Sequence, residues 1–227
     1  MEHVVLIKDL LAYISEKLKT NSVFKNYVIS KNNKTLAYKV DDGVYRIELN
    51  AYKSFDLERK EVSNELTPYY YRKFDVLHNW FKKYTVLSSS DFNSRASIFL
   101  EGSNLGFQNN FHFLVTNQDF KKDFTFFLEE IAKASIAFTD KFQTLNNLYE
   151  YEALPIINNK NFKFSMNSDE DLFILLRLVF LVEPSHFNEL NERIYNHLKI
   201  MCEVEHPHAL AYMSKYDEII ISLKVDK

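Results

Sequence analysis

Glycine is scarce: at the usual frequency of about 7% a chain of this length carries roughly 16, and this 227-residue sequence has three, Gly43, Gly102 and Gly106. Phosphate-cradling loops need glycine where the backbone must approach the ligand, and neither G-x-G-x-x-G nor G-x-x-x-x-G-K-[ST] can be assembled from these three. A dinucleotide site of that kind and a P-loop are excluded. So is a G-x-S-x-G nucleophile elbow, because Ser103 lies between glycines at the wrong spacing. Cysteine is nearly absent as well. Cys202 stands alone, which removes an intrachain disulfide, C-x-x-C redox chemistry and Cys-rich zinc or iron–sulfur sites held by this chain, and it fits a reducing compartment.

Long apolar runs are missing too. The longest, Leu172 to Val182, is interrupted by Arg177 and falls short of the roughly 20 residues that span a bilayer. The first residues carry Glu2 and Asp9 without a basic stretch ahead of an apolar one, unlike a signal peptide. A cytoplasmic protein without membrane association is expected. The net charge is −3 with both signs interspersed, so no basic stripe marks a nucleic-acid partner. What is plentiful is Lys over Arg, with Asn, Phe and Tyr. These residues have A/T-rich codons and suggest a low-GC bacterial genome.

The hydrophobic periodicity predicts an α+β fold. Val4, Ile7, Leu11, Ile14 and Leu18 recur at helical spacing. Alternating runs follow at Val23 to Ile29, Leu36 to Val40 and Tyr45 to Ala51, parted by polar turns that include Asp41-Asp42-Gly43. Residues 56–67 read as a charged connection ending at Pro68. Phe74, Leu77, Phe81 and Tyr84 then share a helical face, Ser88 to Asp91 reads as a loop, and strands are expected at Ala96 to Glu101 and Phe111 to Thr116. From Asn117, an N-cap, one apolar stripe runs to Tyr149 as a long helix, or as two with a kink near Thr139-Asp140. Ser168 and Asp171 resemble a capping box before the Leu172 to Val182 helix. Helices at Ser185 to Met201 and Pro207 to Val225 complete the chain. The expectation is an antiparallel sheet of about five strands with an N-terminal helix, followed by a long helix and a C-terminal helical bundle. An α+β part (1–116) and a helical part (117–227) are expected to pack as one compact unit.

Three constellations carry chemistry. Arg46, Glu48, Asn50 and Tyr52 share the face of the third strand opposite its core residues, and His112 and Glu101 join them if their strands pair nearby. That set offers an acid, a base and a cation, as a small-molecule pocket or a hydrolase needs; a solvated sheet face with cross-strand charge pairs is the plainer alternative. Tyr69, Tyr70, Arg72 and Trp80, with Tyr71 and His78 among them, gather the residue types that anchor protein interfaces, although such residues also fill cores. Glu203, Glu205, His206 and His208 bunch potential metal ligands, but H-P-H lacks the i, i+4 spacing of helical metal sites. They are read as a polar inter-helix loop, with no metal and no cofactor.

The stretches YRKFDVLHNWFKKY (71–84), DLFILLRLVFLVEPSHFNELNERIY (171–195) and KYDEIIISLK (215–224) resemble bacterial families of unknown function, some of whose α+β members are similar to proteins encoded near toxin or defence loci. The resemblance covers about half the chain, brings no catalytic motif and transfers no functional residue. It implies a bacterial interaction or immunity-type protein. The expected function is accordingly a cytoplasmic bacterial protein that binds another protein without catalysis. The alternative is a small-molecule binder or hydrolase using Arg46, Glu48 and His112. A helix-mediated homodimer stays open.

Overall fold

A computed structural model of the chain describes residues 6–56, 60–114, 120–164 and 169–225. In chain order the elements are α1 (Ile7–Thr20), β1 (Val28–Ile29), β2 (Thr35–Val40), β3 (Gly43–Asp56), β4 (Glu61–Phe74), α2 (Asp75–His78), α3 (Ser89–Ser94), β5 (Ile98–Glu101) and β6 (Phe111–Leu114). The helices α4 (Phe120–Lys141), α5 (Leu145–Leu148), α6 (Leu154–Asn158), α7 (Asp169–Val182), α8 (Phe187–Glu203), α9 (Pro207–Met213) and α10 (Tyr216–Val225) follow. The fold is α+β. Among the described residues no helix is long and apolar enough to cross a membrane.

The chain forms two compact units interleaved along the sequence: residues 1–72 with 98–141, and residues 73–97 with 142–227. The parting at 116/117 read from the sequence is therefore not the parting of the compact units. The long helix α4 belongs with the sheet.

The first unit holds the sheet, in order β1-β2-β3-β4-β5 with β6 also pairing β4. The β2–β3 hairpin closes at Val40↔Gly43 over the two residues Asp41-Asp42, the expected place for turn-tolerant residues. One sheet face carries Leu36, Tyr45, Ile47, Leu49, Leu66, Tyr70, Phe111 and Phe113, all buried. Against it lie Phe124, Phe127, Ile131, Ala134 and Phe138 of α4, with Phe111 and Phe127 edge-to-face at 4.9 Å and Tyr45 and Phe138 at 6.3 Å. The apolar stripe of α1 (Leu10, Leu11, Ile14, Leu18) is buried in the same core.

The largest departure from the sequence reading is β4. The charged stretch taken as a connection is its first half, paired with β6 from Ser63↔Leu114 to Leu66↔Phe111 and continuing into the pairing with β5 from Tyr69↔Glu101 to Arg72↔Ile98. Pro68 sits inside the strand because Thr67 and Pro68 fall in the gap between these two partners, where that edge asks for no backbone donor. In the run Val23 to Ile29 a 3-10 turn (Ser22–Phe24) takes the first two residues and β1 only the last two.

The second unit is helical. The face Leu77, Phe81 and Tyr84 is buried as the periodicity predicts, but α2 and a 3-10 turn at Phe81–Lys83 replace one continuous helix. Ser88 to Asp91 is the capped start of α3, with Ser88 Oγ accepting the Asp91 N–H at 3.1 Å. The expected long helix ends at Lys141, close to the expected kink, and a π-helical turn at Tyr149–Ala153 leads into α6, where Pro155 occupies the first turn. The last predicted helix is two, α9 and α10, parted at Ser214-Lys215. The nearly all-round apolar α7 is central to this core, its Phe173 stacked on Phe81 at 5.2 Å. Val4, Val115, Thr116, Asn117 and Ser168 lie outside the described residues.

Candidate functional site

The sheet face opposite the core in the first unit displays Arg46, Glu48 and Tyr52 from β3, Ser63, Glu65, Thr67, Tyr69 and Tyr71 from β4, Phe99 and Glu101 from β5, and His112 from β6. Their places follow from the period of two, with core residues such as Ile47, Leu66, Tyr70, Ile98, Leu100, Phe111 and Phe113 between them; Ser63, Glu65 and Thr67 are nonetheless buried, so the open part of the face lies along the other residues. Three of them form a row across three strands. The Arg46 guanidinium lies 4.6 Å from the Tyr71 ring centroid, and Tyr71 stacks on its directly opposed partner Phe99 at 5.8 Å with 27° between planes. Phe99 is 60% exposed, so the row ends in a bare aromatic ring. Glu48 meets Arg46 at 3.2 Å. Burial first, and the Glu48 carboxylate second, push the Tyr71 phenol up to about 12.

His112 is brought not to Arg46 and Glu48 but to Glu65, its opposed partner across the β4–β6 pairing. Glu65 Oε1 accepts the Tyr52 hydroxyl at 2.5 Å, and Oε2 lies 3.9 Å from His112 Nδ1. Ser63 Oγ is 3.5 Å from that same Nδ1. A serine–histidine–acid relay needs hydroxyl and carboxylate on opposite nitrogens of the ring, so that one takes the proton while the other orients the base. Here both face Nδ1. The arrangement orients side chains and does not activate Ser63.

The four residues read as an interface divide. Tyr69 lies on the open face, half-buried. Tyr70, Arg72 and Trp80 are interior, at 1%, 1% and 8% exposure, and are corrected here from surface anchors to core residues. Tyr70 points to the opposite sheet face from Tyr69, against Phe138 at 6.0 Å. Arg72 lies over the Tyr45 ring at 4.5 Å and pairs with Asp42 of the hairpin turn. Trp80, in the second unit, packs on Phe81 at 5.3 Å beneath the Arg177 guanidinium. Sequence spacing does not reveal this, because consecutive residues in a strand face opposite ways and the phase of β4 was unknown.

The second unit holds a cluster that the sequence reading missed. α7 begins with Asp169, Glu170 and Asp171, a first turn in which carboxylates suit the helix dipole. Asp169 and Glu170 are 2% and 1% exposed. Glu170 Oε1 accepts the Tyr212 hydroxyl from α9 at 2.5 Å, while Arg95 reaches Glu170 at 3.6 Å and Asp171 at 2.6 Å. His206 Nδ1 stands 3.2 Å from Asp169 Oδ2, and His208 Nδ1 3.9 Å from Glu170 Oε1. Burial raises the Asp169 carboxyl above its ordinary value, against the opposing pull of His206, His197 and His208.

The loop before α9 makes this meeting possible. Glu205 adopts φ 58°, its N–H bonding Cys202 O at 3.0 Å while the His206 N–H bonds Met201 O at 3.0 Å. That is a Schellman cap with glutamate where glycine is usual, and it turns the chain sharply so that His206 faces α7. Of the residues read as possible metal ligands, the histidines therefore face carboxylates of α7, while Glu203 and Glu205 are exposed. Among the described residues no three His, Cys, Asp or Glu side chains are placed to hold a metal ion. No family model, curated protein or solved structure matches this chain.

Proposed function

We propose that the protein is a recognition protein without catalytic activity, of bacterial and cytoplasmic origin, that binds a second, different polypeptide through the open sheet face of its first unit. The observation that carries this reading is the Arg46–Tyr71–Phe99 row, which ends in a 60% exposed phenylalanine. Aromatic and arginine side chains held rigid by their neighbours supply binding energy at small entropic cost. The surrounding charge points to the partner's chemistry. Glu48 and Glu101, neither of them buried, share this face with Arg46, whose charge Glu48 already meets, so the face suits an apolar anchor flanked by lysine or arginine and repels a phosphate backbone. The solitary cysteine and the A/T-rich residue usage support the compartment and the origin.

The test is native mass spectrometry of the tagged full chain purified gently from cells of its own source, run beside a Phe99→Ala variant. A stoichiometric second polypeptide present with the natural chain and lost with the variant is the expected result. A partner retained by the variant, a homodimer lost with it, or a small-molecule adduct unaffected by it each overturns the reading.

A further inference from the structure

The carboxylate–imidazole cluster of the second unit has an atomic peculiarity. His206 is the N-cap of α9, and its Nδ1 accepts the Ala209 N–H at a long 3.4 Å. The same Nδ1 faces Asp169 Oδ2 at 3.2 Å. One nitrogen cannot serve both. As a bare lone pair it caps α9 and presents no proton to the carboxylate; as N–H it donates to Asp169 and releases the cap.

Asp169 has no other donor, since neither of its buried oxygens has a hydrogen-bond partner among the described residues. A buried carboxylate without a donor or counter-charge is costly. The groups around it are all assignable. From α8 come His197 and Cys202, from the N-cap of α9 His206 and from α9 His208, and from α7 itself Glu170. Glu170 in turn is faced by Arg95, His208 and Tyr212. Asp171 is faced by Arg95 and, from the π-helical turn, by Glu152. From α2, His78 faces Arg95. Arg95 is the one permanent cation in this set against Asp169, Glu170 and Asp171, and it lies on the Glu170 and Asp171 side. Among the described residues only the imidazoles can bring positive charge to Asp169.

We propose that the contact between α7 and α9 is a proton-operated latch. Protonation of His206 exchanges its capping bond for an ion pair to Asp169, protonation of His208 adds a second to Glu170, and together they hold α9 against the first turn of α7. Loss of these protons leaves the two carboxylates facing neutral rings and loosens α9. The strained Glu205 turn and the stiff Pro207 fix His206 at the junction, so the proton acts on a helix of seven residues whose start is the switching group itself. The device regulates the second unit and does not depend on the partner proposed for the first.

Backbone amide exchange of the full chain, corrected for intrinsic rates and read at about pH 5.5 and about pH 8 on either side of the histidine range, tests it. Residues 210–213, whose amides bond backbone carbonyls and not the His206 ring, are expected to gain about tenfold protection on the acid side, the weight of one unit of proton affinity, with α10 as the unchanging internal control and the Ala209 amide, released from the ring, showing no such gain. His206→Gln, which keeps a capping oxygen and cannot take the proton, and Asp169→Asn are each expected to abolish the difference. A natural chain whose α9 shows no gain over α10, or variants that keep the gain, overturns the latch. Should both variants fail to fold by circular dichroism, nitrogen NMR of His206 in the natural chain decides. Protonation of Nδ1 must rise in step with α9 protection, and a mismatch of the two curves overturns the proposal.

Discussion

The hydroxyl of Tyr212 donates to Glu170 Oε1 at 2.5 Å and in the same position accepts the Val86 N–H at 3.1 Å. One oxygen thus joins α9, the first turn of α7 and the loop that precedes α3, all within the second unit. Tyr212→Phe deletes it without changing the shape of the core. A carboxylate that is 1% exposed loses a donor and a backbone N–H loses its acceptor, so the variant is expected to lose about 2–4 kcal/mol of stability. Urea unfolding of the full chain measures this, and a loss below about 1 kcal/mol contradicts the accounting.

Phe99 separates folding from recognition. Its ring is mostly in water and its removal leaves no cavity, so Phe99→Ala is expected to change unfolding free energy by no more than about 0.5 kcal/mol. Affinity for the partner polypeptide is expected to fall about thirtyfold, equivalent to about 2 kcal/mol. Titration calorimetry with the purified partner reads both affinities. Equal affinity in the two proteins rules out the Arg46–Tyr71–Phe99 row as the anchor.

His78 makes acid stability predictable in sign. It is fully buried, its Nε2 lies 3.0 Å from Ser97 Oγ, its Nδ1 has no partner among the described residues, and burial lowers it from 6.5 to about 3. Between those values the unfolded chain holds a proton that the folded chain does not. Stability from this group is complete above pH 6.5 and drains away toward about pH 3, at up to about 1.4 kcal/mol per pH unit. The buried Asp169 and the half-buried Glu152 run the other way: raised by desolvation, they favour folding at low pH and cease to do so as pH climbs through their raised values. Chemical denaturation of the natural chain and His78→Gln across this range isolates the histidine. The difference between the two proteins should shrink as pH falls, and a difference independent of pH refutes the assignment.

Glu205 holds φ 58°, a conformation that costs a side-chain-bearing residue about 1–2 kcal/mol and glycine almost nothing. Glu205→Gly is expected to raise the melting temperature, with a gain of about 1 kcal/mol, whereas Glu205→Ala is expected to give no gain. A calorimetric scan of the three proteins decides it, and a glycine variant that melts lower than the natural chain shows that the glutamate side chain has a stabilising contact of its own.

Local pattern carried the residues whose environment repeats along the chain. The α1 stripe, the β2–β3 hairpin around Asp41-Asp42, the alternation at Arg46, Glu48 and Tyr52, and the apolar helix from 169 to 182 each bury one face, or all faces, at a fixed period, and that period is written in the order of residues. The first half of β4 was not legible because Ser63 through Pro68 are all buried, which erases the alternation, and because proline argues against a strand unless the gap between β5 and β6 is known. The two candidate sites were decided by tertiary structure. Glu65 meets His112 only through a strand pairing that joins residues 47 positions apart in the register, and Asp169 meets His206 only because an unexpected left-handed glutamate turns the chain back toward α7. Amino-acid order by itself determined the α+β class, the scarcity of glycine and cysteine that excludes whole chemistries, and the phase of most elements, since these depend on each residue and its near neighbours. Which faces stay open, which tyrosines are interior and which histidines find carboxylates depend on pairings between distant segments, and only the folded chain sets those.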